Sequence, residues 1–200
     1  MPNYRTTTIT TITTTCALLL LAATTACTEN PPGSTITPPP TTPTATPTSS
    51  PTPQPPAMPP AAKAKSKAGL QAFARHWLEL ESYAHATGNS SPYLALSRPT
   101  CEWCLGIAGV YRNVYAAGGR YEGDLSLELR DFGLLHVNAA EGTGAAGFRV
   151  YLPRALKIAK AGAQPQGQKS ALVDYSINVT YVQGAWRVDT ASTTVLKEGI

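Results

Sequence analysis

The chain has 200 residues, 18 of them proline, and a net charge of +4 from 16 Lys+Arg against 12 Asp+Glu. Thirteen of the prolines lie between Pro31 and Pro60, a stretch without Phe, Trp or Tyr, while 14 of the 15 aromatics lie in 63–200. That leaves core-building residues for one ordinary domain, which excludes a multidomain enzyme, a helical transporter and a long coiled coil, and the scattered cations lack the concentrated basic face of a nucleic-acid binder.

Residues 1–26 read as an export signal. A positive charge at Arg5 precedes a Thr/Ile stretch and the apolar run Cys16–Ala23. That run is far short of the about 20 residues a membrane span needs, but it suffices for a signal-peptide core. Thr24, Thr25 and Ala26 then precede Cys27, which resembles a bacterial lipobox. Cys27 is therefore the expected lipidation site, carrying palmitate-type acyl chains, although Thr24 stands where Leu is usual. Cleavage near Ala26 without acylation is the alternative. Residues 27–62 form a Pro/Thr-rich tether. Such a segment favours extended polyproline II, buries no core and suits O-glycosylation. Lys63, Lys65 and Lys67 mark its junction with the domain, expected at 63–200.

The domain opens with helical periodicity. Leu70, Phe73, Ala74, Trp77, Leu80 and Ala84 share one face of a helix over about 65–87, stopped by Gly88. Ser91 and Pro92 start a short second helix, which Pro99 ends. Thr100 caps a third helix over 101–117, with Cys104, Ile107, Ala108, Tyr111 and Tyr115 on its face and Gly118-Gly119 closing it. The period then becomes two. Leu125, Leu127 and Leu129 alternate with polar residues, and 134–137 extends that strand. Phe148, Val150 and Leu152 mark the next, limited by Pro153. Val173, Tyr175, Ile177, Val179 and Tyr181 mark the longest. After a turn at Gln183-Gly184, Trp186 and Val188 begin the last strand, running to Leu196. Glycine-rich 141–147 and 161–168 read as loops.

Helices followed by antiparallel strands specify an α+β fold, with the N-terminal helices packed in one curved, cone-like sheet. This resembles nuclear-transport-factor-2-like domains. A closer resemblance lies in Phe73-x-x-x-Trp77, Tyr83-Ala84-x-Ala86-Thr87-Gly88, Leu96-Ser97, Cys101-x-x-Cys104, Tyr115, Gly118-Gly119-Arg120-x-Glu122-Gly123 and Trp186-Arg187-Val188. In order and spacing these look like an uncharacterised family of actinobacterial lipoproteins with a domain of unknown function. The resemblance implies an envelope location and a cone-like fold, and brings no catalytic residues.

Cys16 leaves with the signal, so Cys101 and Cys104 are the domain's own cysteines. Outside the cytoplasm two close cysteines oxidise, and a three-residue step at a helix start brings them within reach. A local structural disulfide is the expectation. A redox-active dithiol activated by the helix N-terminus is the alternative; a metal site would need two more ligands. His76, His85 and His136 are scattered and read as solvated. Asp131 and Asp174 lie in strands, where a carboxylate facing the hollow could act as a base if desolvation raises its pKa. No residue is expected to be catalytic, metal-ligating or cofactor-binding.

The function expected is that of a lipid-anchored module on the extracytoplasmic face of the membrane, binding an envelope protein, a cell-wall component or a small apolar ligand, without nucleic acid. The alternative is an enzyme: a thiol-disulfide oxidoreductase using Cys101/Cys104, or a pocket enzyme using a carboxylate in the hollow.

Overall fold

The structure is a computed structural model, and it describes residues 53–200. The export signal, Cys27 and the tether as far as Thr52 lie outside the described residues. A 3-10 turn, Pro60–Lys63, leads into α1 (Lys67–Thr87), α2 (Ser91–Ala95) and α3 (Glu102–Ala116). Seven strands follow: β1 (Arg120–Gly123), β2 (Glu128–Asn138), β3 (Thr143–Leu152), β4 (Ala155–Ile158), β5 (Gln166–Gln168), β6 (Ala171–Val182) and β7 (Ala185–Glu198). They form a four-stranded antiparallel sheet ordered β2-β3-β6-β7 and a smaller one ordered β1-β4-β5. Register shifts in the β2–β3 and β6–β7 pairs mark irregularities of the kind that bend and coil a sheet. The fold is thus the α+β arrangement expected, with helices packed against a curved antiparallel sheet. No helix among the described residues is long and apolar enough to cross a membrane.

The sheet wraps α1. The six apolar positions of its expected face are all buried, and so are His76, Leu78 and Glu81 from neighbouring phases. A helix lying in a concave sheet is contacted on more than one side, so its buried arc exceeds a single stripe. Ser66 caps α1 by accepting from the Gly69 N–H, and Gly88 closes it in the left-handed conformation. Opposite α1, the inward residues are Ala146, Phe148 and Val150 of β3, Val173, Tyr175, Ile177 and Val179 of β6, and Trp186 and Val188 of β7. Gln183 and Gly184 both have positive φ, 51° and 78°, and form the two-residue turn of the β6–β7 hairpin.

Several expectations are corrected. Residues 124–127 are not a strand: the Leu127 N–H donates to Ser82 Oγ at 2.9 Å, and the Ser126 N–H to Asp124 Oδ1 at 3.0 Å, so their backbone follows α1 and a local turn. Residues 143–147 are strand rather than loop. A Cβ on Gly144 would lie 3.0 Å from Leu70 Cδ2 and 3.0 Å from His136 O, so the glycine admits the close approach of α1 to the sheet. Beyond Pro153 the chain leaves the large sheet and forms β4, which pairs with β1. The caps also shift by one residue, to Ser90 for α2 and Cys101 for α3, whose Sγ accepts from the Cys104 N–H.

The ordered region reaches back into the segment that composition assigns to the tether. Ala62 is 1% exposed and Met58 packs against the core. The Trp186 indole donates to Ala64 O at 3.0 Å, and the Tyr181 hydroxyl to Lys63 O at 2.7 Å. Lys63, Lys65 and Lys67 stay exposed around this dock.

Candidate functional site

The centre of the fold holds one carboxyl. Glu81 sits on α1 one turn after Trp77 and one turn before His85, and is 1% exposed. Its Oε1 accepts from the Tyr175 hydroxyl at 3.1 Å and from the Tyr111 hydroxyl at 3.4 Å. Its Oε2 and the buried Tyr93 hydroxyl have no partner among the described residues. Burial pushes the Glu81 carboxyl up to about 8, against the opposing pull of the two tyrosine hydrogen bonds. At neutral pH it is therefore mainly a carboxylic acid. The tyrosines respond in kind: burial first, then the neighbouring carboxyl, holds Tyr111 and Tyr175 well above the ordinary phenol value.

Tyr111 joins this centre to an apolar hollow of about 220 Å³. Its ring lines the hollow with His85, Tyr121, Ile107, Leu125 and Leu152, while its hydroxyl reaches Glu81. His85 stacks on Tyr111 with centroids 4.7 Å apart and meets Tyr121 edge-on at 4.4 Å. Burial lowers its imidazole to about 4, only partly offset by a hydrogen bond with the Leu125 backbone, so the ring is neutral at pH 7. Charge is confined to the rim. Asp124 is held ionised by the Ser126 hydroxyl and N–H, and exposed Lys169 lies 3.8 Å from Glu198. The interior thus suits an uncharged, largely apolar guest with one hydrogen-bonding group.

The expected site residues fall elsewhere. Cys101 and Cys104 form a disulfide at the start of α3. Both sulfurs belong to buried residues in the main core, next to half-buried Trp103. A core disulfide is closed to an attacking thiolate. Replacing both cysteines with serine should lower stability by about 1–3 kcal/mol, the low end for so short a loop. The native bond should resist millimolar dithiothreitol until the protein unfolds, and rapid reduction of the folded protein would contradict the structural role. Asp131 and Asp174 are not in the hollow: their side chains are 56% and 45% exposed, gathered around Arg149, whose Nε lies 3.0 Å from Asp174 Oδ1. His76 is buried rather than solvated, its Nδ1 3.5 Å from Glu79 Oε2. His136 is exposed on β2. Cys27 lies outside the described residues. Among the described residues, no three His, Cys, Asp or Glu side chains gather as a metal site would require.

Sequence reasoning passed over Glu81. The available signal was helical phase: position 81 falls four after Trp77 and three before Ala84, inside the apolar arc, where a carboxyl must find partners or a proton.

A family model described as a family of unknown function, DUF6318, matches residues 40–192. No curated protein matches the chain. Among solved structures, the intermembrane space region of the chloroplast protein ARC6 is similar with a TM-score of 0.50 at 9% identity, over 66% of this chain and 98% of that one. An uncharacterised protein with a cystatin-like fold from Caulobacter vibrioides aligns with a TM-score of 0.42 at 10% identity, over 64% and 87% of the two chains. An NTF2-like protein with a cystatin-like fold from Novosphingobium aromaticivorans aligns at 0.40 and 11%, over 65% and 87%.

Proposed function

The chain belongs to the family of unknown function DUF6318, and from that premise we propose that it is a binding module, lipid-anchored through Cys27 on the extracytoplasmic face of the membrane, whose hollow takes a small, uncharged, largely apolar ligand. One observation carries the ligand class: the interior of the hollow is walled by Leu125, Ile107 and aromatic rings, its imidazole, His85, is neutral, and the charged Asp124 and Lys169 stand exposed at the rim. Entry of a carboxylate or an ammonium would strip its hydration with no counter-charge inside to replace it.

Binding rather than acid–base chemistry is favoured because Glu81 is sealed in the core and meets the hollow only through Tyr111. A thiol-disulfide role is disfavoured by the burial of Cys101 and Cys104. The anchor is supported by the small residues before Cys27, and the tether supplies reach: the 25 residues of 28–52, if extended at about 3.1 Å each, would lift the domain on the order of 80 Å from the bilayer.

Two measurements test the two halves. Cys27→Ser should move the protein from the membrane fraction to the soluble fraction or stop its processing; membrane retention with normal maturation would rule out the anchor. For the hollow, 1-naphthalenemethanol should raise the melting temperature of the folded domain in a concentration-dependent way, and 1-naphthoate should not. Equal effects of the two would contradict an uncharged-ligand site.

A further inference from the structure

The outer edge of β7 changes character halfway along. At Val188 it is closed: the Val188 N–H donates to Leu96 O at 2.9 Å, and Val188 O accepts from the Arg98 N–H at 2.7 Å. Both groups of Val188 therefore point away from β6. The register shift after Val188 leaves Asp189 as an extra residue, and the pairs Ile177↔Ala191, Tyr175↔Thr193 and Val173↔Val195 continue the same alternation. By that alternation the N–H and C=O groups of Ala191, Thr193 and Val195 also face outward. Among the described residues, no turn, loop or cap hydrogen bond reaches them. Every residue from Ser192 to Ile200 is exposed, Val195 at 56%. The segment Thr190–Leu196 has no proline and no charge to blunt a free edge, and the bulges at Asp189 and Leu196 bound it.

We propose that this edge is an interface for a second copy of the same chain, joined by antiparallel pairing of β7 with β7. The outward groups select the register. Only a pairing centred on Thr193 engages all three residues, setting Thr193 opposite Thr193 of the second copy and Ala191 opposite its Val195. Each such pair exchanges two backbone hydrogen bonds. The same register puts an apolar pair, Ala191 and Val195, on the face shared with Tyr175 and Val173. It also brings Lys197 near Asp189 of the second copy, whose carboxylate already takes Arg98 Nε at 3.5 Å and the Thr180 hydroxyl. A slip of one residue, with Ala191 opposite Leu196, would turn outward groups against inward ones, and a slip of two would place Lys197 against Ala191 and leave only Thr193 and Val195 to pair. The Leu96–Arg98 loop bounds the pairing at each end. The interface joins the large sheets of two copies into one continuous sheet.

Cysteine cross-linking in the full chain, expressed in cells, tests this. In the proposed register the two Thr193 Cα atoms lie about 5.5 Å apart, inside the range a disulfide spans. The two Thr190 Cα atoms lie on the order of 20 Å apart, six residues at the strand rise. Thr193→Cys should give an oxidant-dependent homodimer on non-reducing gels. Thr190→Cys should give no more than the parent chain, which sets the background. A second variant separates pairing from folding. Thr193→Pro removes an N–H that faces away from β6, so the β6–β7 ladder and the melting temperature should hold while the solubilised protein sediments as a monomer. Equal cross-linking at positions 190 and 193, a wild type that sediments as a monomer, or capture of an unrelated protein by Cys at 193 in place of a second copy would each overturn the proposal.

Discussion

Trp77→Ala lowers the unfolding free energy by about 3–5 kcal/mol, the range for deleting a fully buried tryptophan. Trp77 is the hub of the interior. Its ring lies 5.1 Å from Tyr93, 6.0 Å from Trp103 and 6.3 Å from Tyr175, and its indole N–H donates to Ser97 Oγ at 3.3 Å. One truncation therefore loosens α2, the start of α3 and β6 together. Small domains have only about 5–15 kcal/mol in total, so the variant should lose about a fifth or more of its stability in urea melts. Trp77→Phe, which keeps a ring but not the N–H, should cost less. An alanine variant within 1 kcal/mol of wild type, on the order of a surface substitution, would mean that α1 is not wrapped as described.

Glu81→Gln changes the pH profile of stability more than any other single exchange at a titrating group of the interior. A carboxyl whose folded pKa is raised favours the fold fully below its unfolded pKa, near 4.3. That contribution falls as pH rises toward the folded value of about 8. His85 has the opposite sign: its folded pKa is depressed to about 4, so its contribution is present above about 6.5 and lost as pH falls through the folded value. Between about pH 6.5 and 8 the wild type should therefore lose stability through Glu81, on the order of 1 kcal/mol per pH unit. The glutamine variant keeps the shape of the protonated acid and should be nearly flat there, overtaking the wild type by pH 8. Urea melts at pH 6.5 and 8 check this, and parallel profiles for the two proteins would show that Glu81 is ionised in the fold.

The fold was legible where one physical signal dominated. The α1 stripe from Leu70 to Ala84, the inward alternation from Val173 to Val179 and the Gln183-Gly184 turn each follow from period or backbone preference alone. Reading failed where a contact distant in sequence decided. Gly144 and Gly147 look like loop residues, yet they are strand because α1 and Leu134 press against them. Leu125 and Leu127 look like strand, yet Ser82 takes the Leu127 N–H. Thr100 looks like the better cap, yet Cys101 occupies that place. Less of the candidate site was legible. The disulfide pair could be read from spacing, but that Asp131 and Asp174 turn to solvent while Glu81 turns to the core is set by which side of its element each one faces. Glu81 and Glu79 stand two apart in Leu78-Glu79-Leu80-Glu81, and helical phase alone separates the exposed one from the buried one. The hollow itself is invisible in sequence, because Tyr111, Tyr121 and Leu152 come together from three elements.

The central claim is that the hollow between α3 and the 121–127 segment binds an uncharged apolar molecule. Fluorescence titration with the neutral probe N-phenyl-1-naphthylamine tests it most directly, in the wild type and in Ile107→Trp, which places a larger side chain at a half-buried position of the hollow's wall. The expected result is saturable binding at one site per domain in the wild type, weakened at least about tenfold, or 1.4 kcal/mol, in a variant whose melting temperature is preserved. Absence of saturable binding to the wild type, or equal affinity in the filled variant, would contradict the account.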